Sequence, residues 1–460
     1  MIQISKKDKE KVLEAIHSGK IDTAELALPA LADSIVLAMK HHGFLEPLND
    51  VFEDKRSDSL HIPPDIFLTL AITAKLKQKT SLTDIPFAVT DAGLLAELGW
   101  NAWDYGRNVS DGLFSESVMR KLVKKYSSGE LISFYNHYVH DCALKNLGVQ
   151  PCIHILDCTK IPVNLGNANY ENSSVVTIDG ETMRGYKLGV LRGITGDAGM
   201  AEEIVFGTLK THDMELCREM LKNTSCFHEN DILIKDRGFL SREMTNYRKT
   251  ERKVDTYVPA RENMDIFKDA ASLAVSGGKW QKHPNKKRKG QEIQPVKSLG
   301  PLWASDTPEK DVPVNACVVH DKKTGKFFVF MTTDTTKTAR QVVQTYELRP
   351  EIEEDFRQMK DFWKLSGFKS TKYNYITFHI VMTLTGYLFF QIYKNLVEGE
   401  AYTGKSLPVA AKNYKEIKPK EVVVYVGQYF GIFPFLEFLK IYAECTLEVR
   451  QLLDPILAKV

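Results

Sequence analysis

The sequence is short of the features that would assign it quickly. Its seven cysteines (Cys142, Cys152, Cys158, Cys217, Cys226, Cys317 and Cys445) are odd in number, scattered and without a C-x-x-C pair. That excludes a disulfide framework and reads as reduced thiols in a reducing, cytoplasmic compartment. His41, His42, His137, His140 and His154 do not combine with any cysteine pair at zinc-binding spacing. No G-x-G-x-x-G occurs, and nucleotide hydrolysis is not expected. Neither charge dominates: 61 Lys and Arg stand against 59 Asp and Glu, a net +2. A nucleic-acid partner must therefore be sought in local patches. Met1 to Lys20 is charged and lacks the apolar core of a signal peptide. Tyr373 to Tyr393 is free of Asp, Glu, Lys and Arg and long enough to span a membrane. Its Asn374, Thr377, His379, Thr383, Thr385, Gly386 and Gln391 make it a poor lipid-facing helix, so a buried core helix is expected and no membrane partner.

What is present describes a soluble globular protein of two to four domains: 460 residues, 43% hydrophobic and 26% charged. Residues 1–150 read as helices joined by short turns, with Lys7 to His17, Thr23 to His41 and an apolar helix opened by Pro63-Pro64. This part is expected to bind DNA ends or to dimerise. At Pro151 the period changes. Cys152-Ile-His-Ile-Leu-Asp157 is a short apolar run ending in a carboxylate, followed by strand-like runs Arg184 to Thr195 and Glu203 to Lys210. Asn164 to Gly180, rich in Asn, Ser and Gly, reads as a loop. After a helix at Asp213 to Lys222, Asp231-Ile-Leu-Ile-Lys-Asp236 is a second apolar strand ending in a carboxylate. A helix (Ser241 to Lys249) and a strand (Val254 to Ala260) follow.

Tyr346 to Lys360 shows two periodicities at once. Ile352, Phe356, Met359 and Trp363 form an apolar helical stripe. Glu353, Arg357 and Lys360, at i, i+4 and i+7, form a charged row beside it. Pro350 marks the start of that helix, because a proline at the first helical position loses no hydrogen bond. Taken alone, such a row is most often a solvated face with surface ion pairs, and Asp157 or Asp236 alone is most often a turn residue. Together they amount to three carboxylates, two on strands and one on a helix. Such a set suits a hard cation such as Mg²⁺ and in-line displacement at a phosphodiester.

The spacing Tyr-x2-Arg-x3-Glu-x6-Lys, met by Tyr346, Arg349, Glu353 and Lys360, resembles the motif of the insertion-sequence-four family of bacterial DDE transposases. The resemblance implies a catalytic and metal-binding triad of Asp157, Asp236 and Glu353, with two Mg²⁺ ions for which Mn²⁺ can substitute. It also implies phosphate contacts by Arg349 and Lys360, with Tyr346 beside the strand end. Arg357 is a further candidate from the charged row. The implied fold is α/β: a ribonuclease H-like catalytic domain (151–261 plus 336–395) interrupted by a mostly β insertion (262–335). An all-helical N-terminal domain precedes it, and a linker with helices (396–460) follows. The element order strand-strand-strand-helix-strand-helix-strand fits that domain.

Within the insertion, Lys279 to Lys297 carries seven basic residues, including Lys286, Lys287, Arg288 and Lys289, against one acid, Glu292. It reads either as a solvated loop or as a DNA-backbone contact. Trp280 or Trp303 is the candidate for stacking on a flipped base, as relatives of this type do; core packing is the commoner role of Trp. The expected activity is cutting and joining of the element's own terminal repeats into target DNA, in the bacterial nucleoid, by a homodimer on double-stranded DNA. The alternatives are a ribonuclease H-like nuclease that cuts without joining and a transposase-derived DNA-binding protein that has lost catalysis.

Overall fold

The computed structural model describes residues 6–27, 30–55, 64–89, 91–99, 114, 116–178, 180–195, 198–299, 311–414 and 420–458. Trp303 lies outside them. The architecture is mixed α/β. The chain divides into two compact units: Val139–Arg357, and Met1–Tyr138 with Gln358–Val460.

The middle unit is organised on one sheet with ten strands among the described residues: β1 (Ile153–Val163), β2 (Ser174–Ile178), β3 (Glu181–Thr195), β4 (Ala198–Thr208), β5 (Ile232–Lys235), β6 (Asp255–Pro259), β7 (Gln281–Lys282), β8 (Gln291–Leu299), β9 (Val314–Asp321) and β10 (Phe327–Thr332). The spatial order is β2-β3-β1-β5-β6-β10-β9-β8-β7, with β4 also paired to β3. The β1–β5 and β5–β6 pairs are parallel. The others are antiparallel. Helices α1 (Asp213–Asn223) and α2 (Arg242–Glu251) provide the crossovers that parallel pairing requires. Met214, Cys217 and Leu221 of α1 and Met244 of α2 pack with Leu156, Leu191 and Leu233 in one core. Side chains alternate along strands. Ile155, Asp157, Val190, Arg192, Ile234 and Asp236 therefore belong to the other face.

Several elements differ from the expectation. β1 does not end at Asp157 but continues to Val163, because β3 pairs with it along its whole length, from Ile153↔Ile194 to Val163↔Arg184. Only the parallel partner stops, at Leu156↔Lys235. Pro162, which has no N–H to donate, falls where β1 has lost that second neighbour. Asn164 to Gly180 is not all loop, since Ser174–Ile178 forms a hairpin with β3 and Gly180 closes it at φ +82°. Residues 262–335, expected as an insertion, contribute a helix, α3 (Asp265–Ser276), and four strands that extend the same sheet through the β10–β6 pairing. Two helices close the unit. Thr338 caps α4 (Ala339–Tyr346) in a capping box with Gln341. α5 (Pro350–Asp361) starts at Pro350 as the sequence predicts.

In the other unit, Tyr373–Asn395 is the central helix. It is long and apolar enough to cross a membrane, yet 89% of its apolar window is buried inside the protein. It packs against helices Pro64–Leu76, Ser128–His137 and Leu31–His41. This unit is not helical throughout. Thr23–Ala27, expected within a helix, is a strand paired antiparallel to Glu421–Val426, which pairs in turn with Tyr429–Pro434. Tertiary pairing with the β-branched run Val422-Val423-Val424 overrides the helical propensity of Thr-Ala-Glu-Leu-Ala. Helices Phe435–Glu444 and Leu447–Leu457 follow the hairpin.

Contrary to the expectation that no such motif occurs, Gly399 to Ser406 has the Gly-x4-Gly-Lys-Ser spacing of a phosphate-binding loop. The structure gives it a different role. A helix, not a strand, precedes it. The N–H groups of Gly399, Thr403 and Lys405 donate to the carbonyls of Leu396, Glu400 and Tyr402 instead of lining a cradle. Both glycines are explained locally: Gly404 sits at φ +72°, and a Cβ on Gly399 would lie 1.9 Å from the Tyr393 carbonyl oxygen.

Candidate active site

Asp157 and Asp236 each lie one residue beyond the last parallel pair, Leu156↔Lys235. Neighbouring strands in register, followed by one more residue of alternation, bring both carboxylates to the same face of the sheet. That face meets the turn between α4 and α5. Arg349, in that turn, donates from Nη2 to Asp157 Oδ2 (2.8 Å) and from Nη1 to Glu353, one helical turn on. The Cys158 backbone N–H donates to Asp157 Oδ1 (2.8 Å). One guanidinium thus holds the first and third carboxylates together.

The electrostatics follow from this convergence. Burial pushes the Asp157 carboxyl up to about 6, against the pull of Arg349 and the Cys158 N–H, and Asp236 and Glu353 push it the same way. Burial raises the Tyr346 phenol, with Asp236, Asp157 and Glu353 adding to the rise and Arg349 opposing it. Burial acts to lower Arg349, but Asp157, Asp236 and Glu353 outweigh it and hold the guanidinium charged. Asp236 and Glu353 thus act on both Asp157 and Arg349.

The other candidates fall in different surroundings. The Tyr346 ring lies 4.7 Å from that of Phe330, tilted. Arg357 is committed to an exposed pair with Glu354 (2.6 and 2.8 Å). Lys360 stands in the last turn of α5, beyond the boundary of the middle unit. Lys286, Lys287, Arg288 and Lys289 are exposed in the turn between β7 and β8. Asn285 donates from Nδ2 to Glu347 Oε1 (2.9 Å), and Arg288 lies 3.6 Å from the same oxygen. These contacts tether the basic turn beside Tyr346. A pocket bordered by His283, Arg288, Phe328, Tyr346 and Arg349 lies between the turn and the start of α5. Trp280 is packed against the core of β8–β10 and α3, with its ring 5.6 Å from His320 and 6.3 Å from Phe327.

The donor set tests the expected metal. Three carboxylates with no imidazole or thiolate among them suit a hard divalent cation, and the cation balancing two of them here is Arg349. Among the described residues no group of three or more His, Cys, Asp or Glu side chains is drawn together closely enough to hold a metal ion.

Two features escape a reading of the sequence. His154 is fully buried near the start of β1, with Nδ1 2.7 Å from Glu202 Oε2 and Nε2 3.2 Å from Asp231 Oδ2. A β-bulge between β3 and β4 supplies Glu202: Leu191 pairs with Glu203 and Arg192 with Ala201, leaving Glu202 as the extra residue, turned inward. Burial alone would lower the imidazole, but hydrogen bonds to Asp231 and Glu202 carry it up to about 9. Arg192 is the second. It is a lone cation in the apolar run Leu188 to Ile194, which is the one signal it gave.

Residues 173–389 match the family model described as the transposase DDE domain, which supports reading the chain as a DDE transposase, an enzyme class generally dependent on divalent metal. The match spans somewhat under half of the chain. It includes Asp236, Arg349 and Glu353 and begins after Asp157. No curated protein matches the chain.

Proposed function

We propose that this protein is a cut-and-paste DNA transposase of the insertion-sequence-four type, with Asp157, Asp236 and Glu353 as its catalytic carboxylates. The observation that carries the reading is the convergence of in-register Asp157 and Asp236 with Glu353 around Arg349. The order β1, β3, β4, α1, β5, α2, β6 supports a ribonuclease H-like domain. Mg²⁺ held by these carboxylates would activate the attacking oxygen and stabilise the leaving one.

The chain's own groups do the rest. Arg349 stays charged and takes phosphate oxygens in bidentate fashion; Lys360 supplies a point charge. Tyr346, its phenol held neutral, remains a hydrogen-bond donor at neutral pH. The basic turn neutralises backbone phosphates along the duplex. Water attacks first and frees a 3′ hydroxyl, which then attacks a target phosphodiester. Residues 1–150 recognise the element ends or pair the protomers of a dimer on DNA, in the bacterial cytoplasm.

Incubating the protein with labelled terminal-repeat DNA, a supercoiled target plasmid and Mg²⁺ tests this. Joined products, absent when EDTA is added, are expected. Cleavage without joining would assign a nuclease, and binding without cleavage a DNA-binding protein.

A further inference from the structure

We propose that Arg192 is a positioning residue that fixes the roll of α5 and thereby the placement of Glu353. The inference rests on the reading of Asp157, Asp236 and Glu353 as metal carboxylates. Arg192 pairs with Ile155 on β1, two residues from Asp157 and on the same sheet face. Its side chain is only 7% exposed. Its Nε lies 2.5 Å from Asp355 Oδ2 and its Nη1 2.9 Å from Glu351 Oε2.

Helical geometry gives these contacts their meaning. Glu351 and Asp355, at i and i+4, share one flank of α5 beside the buried Ile352 and Phe356. Glu353 is about 200° around the helix from Glu351, on the other flank. The helix is therefore held on both sides of its apolar stripe, by Arg349 to Asp157 on one and by Arg192 to Glu351 and Asp355 on the other. Rolling α5 far enough to lift Glu353 from Asp157 breaks the Arg192 contacts.

A second observation concerns the space Arg192 occupies. A Cβ on Gly199 would lie 1.9 Å from Arg192 Nη2 and 2.0 Å from Cζ. The guanidinium lies directly over that glycine, and a larger residue there would have to displace it. Arg is also the side chain for the task, since its planar fork engages two carboxylates at once where an ammonium acts as a point charge.

The test uses the full chain and Mn²⁺ alone, titrated by electron paramagnetic resonance without DNA, alongside Mg²⁺-dependent cleavage and end binding. Arg192→Gln and the double variant Glu351→Gln/Asp355→Asn are compared with wild type and with Glu353→Gln; the double variant guards against a folding defect from removing a buried cation. Mn²⁺ affinity is expected to fall about tenfold and the Mg²⁺ concentration for half-maximal cleavage to rise in step. End binding should stay within threefold. Arg192→Lys should recover part of the loss, and Gly199→Ala should reproduce it. Wild-type Mn²⁺ affinity in folded Arg192→Gln and in the double variant overturns the proposal if Glu353→Gln loses it. If Glu353→Gln also keeps wild-type Mn²⁺ affinity, the carboxylate reading falls and the clamp with it. A loss of end binding as large as the loss of Mn²⁺ affinity also overturns it, by making Arg192 a DNA contact.

Discussion

Two charge clusters flank the stretch over which β1 and β5 pair, one at each end of it, and they are built to opposite rules. At the start of β1 and β5, His154, Glu202 and Asp231 are buried, and the imidazole meets both carboxylates from within. Further along the same strands, Asp157, Asp236 and Glu353 stand at the edge of solvent. Glu353 is half exposed, and the balancing cation Arg349 comes from a turn outside the sheet. The first cluster is closed and can only hold the fold. The second sets three carboxylates at the edge of solvent against one cation on a connecting segment, as expected where charge must be exchanged with a ligand. Buried polarity alone does not mark a site; polarity that opens to solvent with its charge unevenly met does.

The sharpest test of that contrast is a double dissociation. Asp157→Asn, Asp236→Asn and Glu353→Gln should each lower cleavage by roughly a thousandfold or more, several kcal/mol of barrier. Melting temperature and end binding should hardly change. Cleavage near wild-type rate in any one of them would remove that residue from the site. His154→Ala should do the reverse, costing about 3–5 kcal/mol in denaturant unfolding because Glu202 and Asp231 are left buried without their cation. Cleavage by the fraction that remains folded should persist.

A pH dependence extends the same point. The folded-state pKa of His154 is raised from 6.5 to about 9. Its stabilising contribution is therefore complete below pH 6.5 and disappears as pH rises through 9. Urea midpoints of the wild type should fall over that window by at most about 3 kcal/mol in stability. A His154→Gln chain should show no such fall, and an identical decline in both would dissociate it from this cluster. The smallest effect belongs to the surface. Replacing Lys286, Lys287, Arg288 and Lys289 with Gln should leave stability within about 0.5 kcal/mol. The slope of log affinity against log salt on duplex DNA should become shallower by up to roughly 3 to 4. Unchanged slope and affinity would make the turn a solvated excursion.

The carboxylates were legible because each belongs to a local pattern. Asp236 follows the short strand Ile232–Lys235, and Glu353 lies on a helix whose start Pro350 announces. What escaped depends on distant partners. β1 continues past Asp157 only because Lys187, Tyr186 and Gly185 arrive opposite Lys160, Ile161 and Pro162. Thr23–Ala27 reads as helix until Val422 to Val424 lie beside it. Arg192 has no charged neighbour in its own strand, since its partners are supplied by α5. Glu202 looks like half of an exposed Glu202-Glu203 pair, and only the bulge turns it inward. Local sequence carries periodicity and caps; it does not carry register between segments far apart in the chain.

That register has a consequence for how the protein is made. The middle unit is one uninterrupted stretch, so a nascent chain contains all of it once Arg357 has left the ribosome. The other unit is split: Thr23–Ala27 is synthesised before the middle unit, and its partner Glu421–Val426 after it. Until that partner emerges, Ala24 and Ala27, both buried in the finished protein, have no strand to close over them. The middle unit is thus complete in the chain while Thr23–Ala27 still waits for its sheet. A ribosome that stops between residues 358 and 420 releases the carboxylates with their scaffold but leaves the first segment without that sheet.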